Sequence, residues 1–279
     1  MKRDRGVIFF NAGLSCLARI AVAAHSLRKH YAGPATLIHV GDDGRDEARK
    51  IAGASSRIDF LPAEWRATEG HARALLNKCC LHLDTPYELS LLLDADTVTR
   101  ADPTPIMDAA TIKGFAVAQF SDWKTRGRIR VRIEEWRPIV GDAWTEEALD
   151  FGPAINTGVY AFRRDSDLMR DWYGLAVKNR AGFIPDEACC QVMLPRYPAN
   201  VLTANHNVSC RYGTPRAPDT LVIHFHGRKN ARIANGTCLN NCDLWYREFE
   251  EIRHRPDVQA VIPHERLLRK NLPAWDKIK

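Results

Sequence analysis

Apolar residues fall in short blocks separated by polar turns, and the blocks alternate between two spacings. Val7-Ile8-Phe9-Phe10 is a continuous apolar run that stops at Asn11-Ala12-Gly13, which predicts a buried strand feeding a turn. Leu17, Ile20, Ala21, Ala24 and Leu27 then recur at helical spacing as far as Tyr31. Gly33-Pro34 breaks the chain, and Ala35 to Val40 predicts a second strand ending in Gly41-Asp42-Asp43. A helix-like stretch from Asp46 to Ala52 leads to a short strand over Arg57 to Leu61. Strand, helix, strand, helix is the order of a parallel doubly wound α/β sheet, whose ligand edge would gather Asn11-Ala12, Asp42-Asp43 and any acids at later strand ends. No G-x-G-x-x-G follows the first strand, so a dinucleotide fold has weak support.

Farther along, Arg73 to Leu83 reads as a helix running into Thr85-Pro86-Tyr87, and Leu89 to Leu93 as a buried strand. Phe115 to Gln119 is another strand, Ile155 to Phe162 a strand entered through Gly152-Pro153, and Leu168 to Asn179 an amphipathic helix. Pro185 opens a helix to about Leu194, with Asp186 and Glu187 in the first turn, where the helix dipole favours acids. Leu221 to Phe225 is a strand leading to His226, Gly227 and the basic pair Arg228-Lys229. From Trp123 to Ile133, arginine alternates with isoleucine and valine. Extended, that segment has one basic and one apolar face; as a helix it spreads the charge around its axis. It reads as either an active-site flap binding an acceptor or a solvated edge. Residues 236–279 form a basic, aromatic, mostly helical tail.

Composition narrows the class. A chain of 279 residues, 45 % hydrophobic and 27 % charged, is that of an ordinary globular protein with one large domain or two small ones. No apolar run reaches membrane-spanning length, and the run behind the basic N-terminus is too short for a signal peptide, so the expectation is a cytoplasmic protein. Its eight cysteines then read as reduced thiols; Cys79-Cys80 and Cys189-Cys190 suit apolar core positions, and Cys238 with Cys242 lacks the second pair of a zinc site. A net charge of +6 suits acidic partners.

The candidate chemistry starts at Leu91-Leu92-Leu93-Asp94-Ala95-Asp96-Thr97. An unpaired carboxylate cannot be left charged in a core, so Asp94 and Asp96 belong where their strand leaves it. Two oxygen donors there suit a divalent cation and, through it, a diphosphate; a plain acidic turn is the alternative. One of the two histidines at another strand end, His224 or His226, followed by Gly227 and a basic pair, suits a third metal ligand. Lys78, on a helix, is either a cation for phosphates or a solvated side chain.

Taken in order, Leu91 to Thr97, Ile155-Asn156-Thr157-Gly158-Val159, Pro185-Asp186-Glu187 and Ile223-His224-Phe225-His226-Gly227 resemble the nucleotide-sugar glycosyltransferases of the GT-A fold, in particular the glycogenin and lipopolysaccharide galactosyltransferase-like group. That resemblance implies a Rossmann-like, mostly parallel sheet flanked by helices, with a transferase domain over 1–235 (donor half about 1–110, acceptor half about 111–235) and a helical extension over 236–279. It implies Mn2+ or Mg2+ on Asp94, Asp96 and His224. It places Asn11, Ala12, Lys78, Ala95 and Lys229 around a nucleotide sugar, most simply a UDP-sugar, and Asn156, Asp186 and Glu187 around the sugar and acceptor. Retention at the anomeric carbon is the expectation, with an inverting enzyme, which needs a carboxylate base at the acceptor hydroxyl, as the alternative. Arg128, Arg130 and His226 would face an anionic acceptor: a phosphorylated glycan, lipid head group, protein or nucleic acid. The chain departs from the family pattern at Asn230, where a lysine is usual and Lys229 comes one residue early, and at Glu187, where glutamine is frequent. The competing classes are a metal-dependent nucleotidyltransferase and a non-enzymatic nucleic-acid or membrane-binding protein.

Overall fold

The computed structural model describes residues 3–55, 57–67, 72–120, 125–179, 184–210, 218–225, 233–234, 237–238 and 242–277. Its strands are β1 (Arg3–Asn11), β2 (Ala35–Val40), β3 (Ile58–Ala63), β4 (Tyr87–Leu93), β5 (Thr97–Thr99), β6 (Phe115–Gln119), β7 (Ile155–Arg163), β8 (Asn200–Leu202), β9 (Val208–Ser209), β10 (Val222–His224), β11 (Ile233–Ala234) and β12 (Thr237–Cys238). The helices are α1 (Leu17–Arg28), α2 (Arg45–Ala54), α3 (Arg73–Lys78), α4 (Leu81–Asp84), α5 (Thr104–Lys113), α6 (Thr125–Glu134), α7 (Arg137–Val140), α8 (Asp142–Asp150), α9 (Asp167–Ala176), α10 (Pro185–Met193), α11 (Asp243–Ile252), α12 (Pro256–Val261) and α13 (Arg266–Trp275). Among the described residues no helix is long and apolar enough to cross a membrane.

The chain divides into two compact units, each made of three stretches: Met1–Gly6, Glu64–Leu92 and Thr104–His206 in the first, Val7–Ala63, Leu93–Pro103 and Asn207–Lys279 in the second. Seven strands belong to one mixed sheet, flanked by helices. The second unit contributes the order β3-β2-β1, with β1 parallel to β2 and β2 parallel to β3. All six residues of β2 are buried, as a parallel strand covered on both faces requires. Helix α1 is buried around nearly its whole circumference, leaving only His25 and Arg28 partly open, because α2, α11 and α12 pack against it. The basic tail is therefore structural, with Leu244, Trp245, Phe249, Val258 and Val261 in the core of this unit. A separate three-stranded sheet, β5-β10-β9, also belongs here.

The first unit orders its strands β4-β7-β6-β8, with β7 antiparallel to β6 and β8 parallel to it. Its core centres on Trp172 of α9, set edge-on to Phe115 and Tyr160 at 6.1 and 5.3 Å between ring centroids. The Trp172 indole N–H donates to the backbone oxygen of Asp186 at 3.0 Å, tying this aromatic cluster to the start of α10. Cys79, Cys80, Cys189 and Cys190 are free, buried thiols, and burial raises the pKa of each.

The 124–132 segment is helical from Thr125 on, which settles the choice its alternating pattern left open. Ile129 and Ile133, one helical turn apart, are buried, whereas Val131 is 62 % exposed, so the second apolar position of the alternation has no core to enter.

Replacing Trp172 with alanine should cost about 3–5 kcal/mol, the usual penalty for emptying a buried aromatic site. Trp172→Phe, which keeps most of the ring contacts, should cost markedly less. Urea unfolding followed by circular dichroism would measure both, and equal midpoints for the two variants would contradict this account of the core.

Candidate functional site

The second unit brings Asp94, Asp96 and His224 together. Leu91, Leu92 and Leu93 are fully buried, and the chain leaves β4 at Asp94 through a turn that Thr97 closes, its N–H and hydroxyl both donating to the Asp94 backbone oxygen at 3.2 and 2.8 Å. Strand β5 then pairs antiparallel with β10, with Thr97 opposite His224 and the Phe225 N–H donating to the Asp96 backbone oxygen at 2.9 Å. That register sets the imidazole beside the acids. His224 Nε2 is 3.1 Å from Asp96 Oδ1 and 3.9 Å from Asp94 Oδ2, and one donor atom from each residue lies within 4.8 Å of the others. Donors sharing one small divalent ion at about 2.1 Å sit roughly 3–4 Å apart, so both the spacing and the mixed oxygen–nitrogen chemistry fit Mn2+ or Mg2+. His224 is buried, while Asp94 and Asp96 keep 25 % and 13 % of their side chains exposed, which leaves the trio accessible.

Two residues that the sequence pattern did not single out stand behind this trio. Arg19 of α1 places Nη1 3.8 Å from Asp96 Oδ2 and donates through Nε to Glu265 Oε2 at 2.8 Å. A second donation from Arg19 Nη2 reaches Cys16 Sγ at 3.1 Å. Burial opposes the charge on Arg19, yet Cys16, Asp96 and Glu265 together hold its pKa above the ordinary value.

At the carboxyl end of β1, Asn11 is buried and Ala12 half-buried. Asn11 Nδ2 lies 3.0 Å from the Gly13 backbone oxygen and 2.8 Å from His39 Nδ1. A carbonyl only accepts, so the amide nitrogen is fixed on that side, and His39 Nδ1 must offer a lone pair. A neutral His39 is consistent with this, since burial lowers its pKa. Both N–H groups of the amide are thereby used, and Asn11 Oδ1 is a buried oxygen with no hydrogen-bond partner among the described residues. Ala95, in the turn between the two acids, is half-buried.

The first unit gathers a separate set at the start of α10. Ile184 caps this helix at φ 55°, a left-handed conformation that costs a β-branched residue roughly 1–3 kcal/mol, and Pro185 follows at the first helical position. Asp186 and Glu187 are both buried. Both oxygens of Glu187 are engaged: Arg132 of α6 donates to Oε1 at 2.9 Å and Asn156 Nδ2 to Oε2 at 2.8 Å. The Asn156 Oδ1 accepts in turn from the Gly158 N–H at 3.1 Å. Asp186 Oδ2 accepts from the Thr157 hydroxyl at 3.2 Å and lies 3.7 Å from Lys78 Nζ, while Asp186 Oδ1 is buried with no hydrogen-bond partner among the described residues. Lys78 is buried rather than solvated, and its Nζ donates to the Thr157 backbone oxygen at 3.2 Å. Arg132, which no sequence pattern marked apart from its neighbours, is thus the α6 arginine that reaches an acid of this set.

Arg128 and Arg130 also lie on α6; Arg130 is exposed and lines a groove of about 130 Å³ together with Ile129, Ile133, Pro153 and Gln191. His226 and Lys229 fall outside the described residues.

Burial first, and then the neighbouring Asp186, push the Glu187 pKa from 4.5 up to about 7. Between these values the folded state holds a proton that the unfolded chain has released, so the contribution of Glu187 to stability is greatest below pH 4.5 and declines as pH rises to about 7. The loss should amount to about 2–3 kcal/mol. Urea midpoints between pH 4.5 and 7 should fall in the wild type relative to Glu187→Gln, and parallel pH profiles would refute it.

No family model matches the sequence, and no curated protein matches it. Solved structures do match. The galactosyltransferase LgtC, solved with donor and acceptor sugar analogues, aligns over 90 % of this chain and 97 % of its own, with a TM-score of 0.64 at 13 % identity. The glycosyltransferase GlyE of Streptococcus pneumoniae TIGR4 aligns over 99 % of this chain and 64 % of its own, with a TM-score of 0.63 at 14 % identity. The bifunctional glycosyltransferase WbbM aligns over 95 % of this chain at a TM-score of 0.64 and 11 % identity, and the chain spans 52 % of that protein. At these identities the likeness is one of architecture: the chain has the GT-A fold of these glycosyltransferases.

Proposed function

We propose that the protein is a metal-dependent glycosyltransferase moving a hexose from a nucleotide-diphosphate sugar, in the simplest case a UDP-sugar, to an anionic acceptor. One observation carries this beyond the fold: Asp94, Asp96 and His224, drawn from strand ends 128 residues apart, present three donor atoms within 4.8 Å. These residues would hold Mn2+ or Mg2+, which when bound neutralises charge on the departing diphosphate. LgtC, solved with donor and acceptor sugar analogues, is a neighbour consistent with such a substrate.

The remaining assignments rest on this chain's own groups. Asn11 has spent both amide N–H groups, so its Oδ1 suits a base that presents an imide N–H, as uracil does, over one that presents only an acceptor there. Ala12 and Ala95 are the small neighbours that leave room for the nucleotide, and Lys229 follows in sequence as a cation for phosphate. In the first unit, Asp186 is the acid with an uncommitted oxygen, and it is assigned to the sugar, stabilising the positive charge that develops at the anomeric carbon. Glu187, bound on both oxygens, orients Asn156 and Arg132, with Asn156 assigned to the sugar hydroxyls. Lys78 sets its positive charge 3.7 Å from Asp186 Oδ2 and so holds that carboxylate in place. Attack on the face opposite the leaving group would need a carboxylate base on the acceptor; none of the assigned acids has that role, and retention is the reading adopted. The α6 arginines Arg128 and Arg130, with His226, are assigned to the acceptor, whose negative charge the +6 chain would attract.

Hydrolysis and thermal-shift assays over UDP- and GDP-sugars, with Mn2+ or EDTA, test the proposal. UDP-sugar turnover with Mn2+ that EDTA abolishes is expected, and Asp96→Asn or His224→Ala should lower kcat by about 10²–10³-fold. Cleavage of a nucleoside triphosphate with no action on any nucleotide sugar would overturn it. Reversing charge at Arg128 and Arg130 should raise the acceptor KM and spare donor hydrolysis; equal loss of both would remove the acceptor assignment.

A further inference from the structure

An arginine beside a cation site is a liability, because its guanidinium competes for the carboxylates the cation needs. Arg19 stands in that position: Nη1 is 3.8 Å from Asp96 Oδ2, on the carboxylate oxygen other than the one 3.1 Å from His224. What keeps it there is Glu265, which is 0 % exposed and accepts from Arg19 Nε at 2.8 Å. The pair links positions 246 residues apart and is itself almost wholly buried. A buried carboxylate is costly to separate from a bonded cation, which holds the two groups together. The Arg19 Nη2 contact with Cys16 Sγ, at 3.1 Å, adds a second hold on the guanidinium.

From this geometry we infer that Glu265 is a positioning residue for the cation site: it tethers Arg19 so that the guanidinium orients the Asp96 carboxylate without displacing the cation. Charge supports the same role. Asp94, Asp96, Glu265 and Arg19 together carry two net negative charges, enough to attract a divalent cation; without the Glu265 charge only one remains, and Arg19 becomes a rival ion. The inference rests on the metal reading of Asp94, Asp96 and His224 given above.

The test is Mn2+ binding to the full chain, followed by the electron paramagnetic resonance signal of free Mn2+, with and without UDP. Glu265→Gln should weaken binding about tenfold, because Arg19 then turns its full charge on Asp96. The double variant Arg19→Gln/Glu265→Gln restores the net charge and removes the rival, so it should bind within about threefold of the wild type. A residue that merely supported the fold would show no such recovery. Should Glu265→Gln fail to fold, the double variant decides alone, and binding more than about tenfold weaker than wild type would overturn the inference. Binding by a folded Glu265→Gln equal to wild type, or a double variant as weak as the single, would also overturn it while leaving the metal site in place. A wild-type chain that binds no Mn2+ removes the metal reading, and the positioning role with it.

Discussion

Two carboxylates held one residue apart at the end of a buried strand repel each other, and the second unit is arranged around that repulsion. The Asp94-Ala95-Asp96 turn is closed by Thr97, so the acids cannot drift apart along the chain. The antiparallel register of β5 and β10 sets an imidazole against them, and α1 supplies a guanidinium from behind. Each partner removes part of the electrostatic cost, and none removes all of it. What remains is a trio of donors with residual negative charge and partial exposure, the electrostatic description of a cation site.

The first unit meets a similar difficulty differently. Asp186 and Glu187 are adjacent and buried, and each has its own cation, Lys78 for one and Arg132 for the other. A helix N-terminus adds favourable dipole, yet the chain accepts a left-handed isoleucine to aim it. Strain, burial and paired charge concentrate within four residues. Such clustering is a mark of function more than of stability, because an apolar helix start would have been cheaper to fold.

Much of the architecture was readable from spacing. Continuous apolar runs at β1, β2 and β4 could be strands of a covered sheet and little else, and the acids after Leu93 had to lie where burial ends. The same reasoning marked a histidine at the end of a later apolar run, and the resemblance to a known motif chose His224 over His226. The partners behind the site were not visible. Arg19 sits among apolar residues on a helix, a place where a basic side chain ordinarily reaches solvent, and nothing local reveals that α11 and α12, from the far end of the sequence, help to cover α1 on nearly every side. Glu265 lies between two short helical segments with no pattern of its own. The arginine-rich segment failed to declare itself because alternation fits a strand as well as a helix; only the absence of a core beside Val131 and its presence beside Ile129 and Ile133 decide. Long-range contact, not local propensity, made those choices.

The interleaving of the two units also sets an order of assembly. Because each is built from three separate stretches, no contiguous fragment contains one of them whole without taking in part of the other. On the ribosome, Asp94 and Asp96 emerge long before His224, and Glu265 follows later still. A nascent chain therefore carries its acid pair through the next 128 residues of translation with neither imidazole nor tethered guanidinium, and stalled or truncated chains would present that pair bare to any ion in the cell.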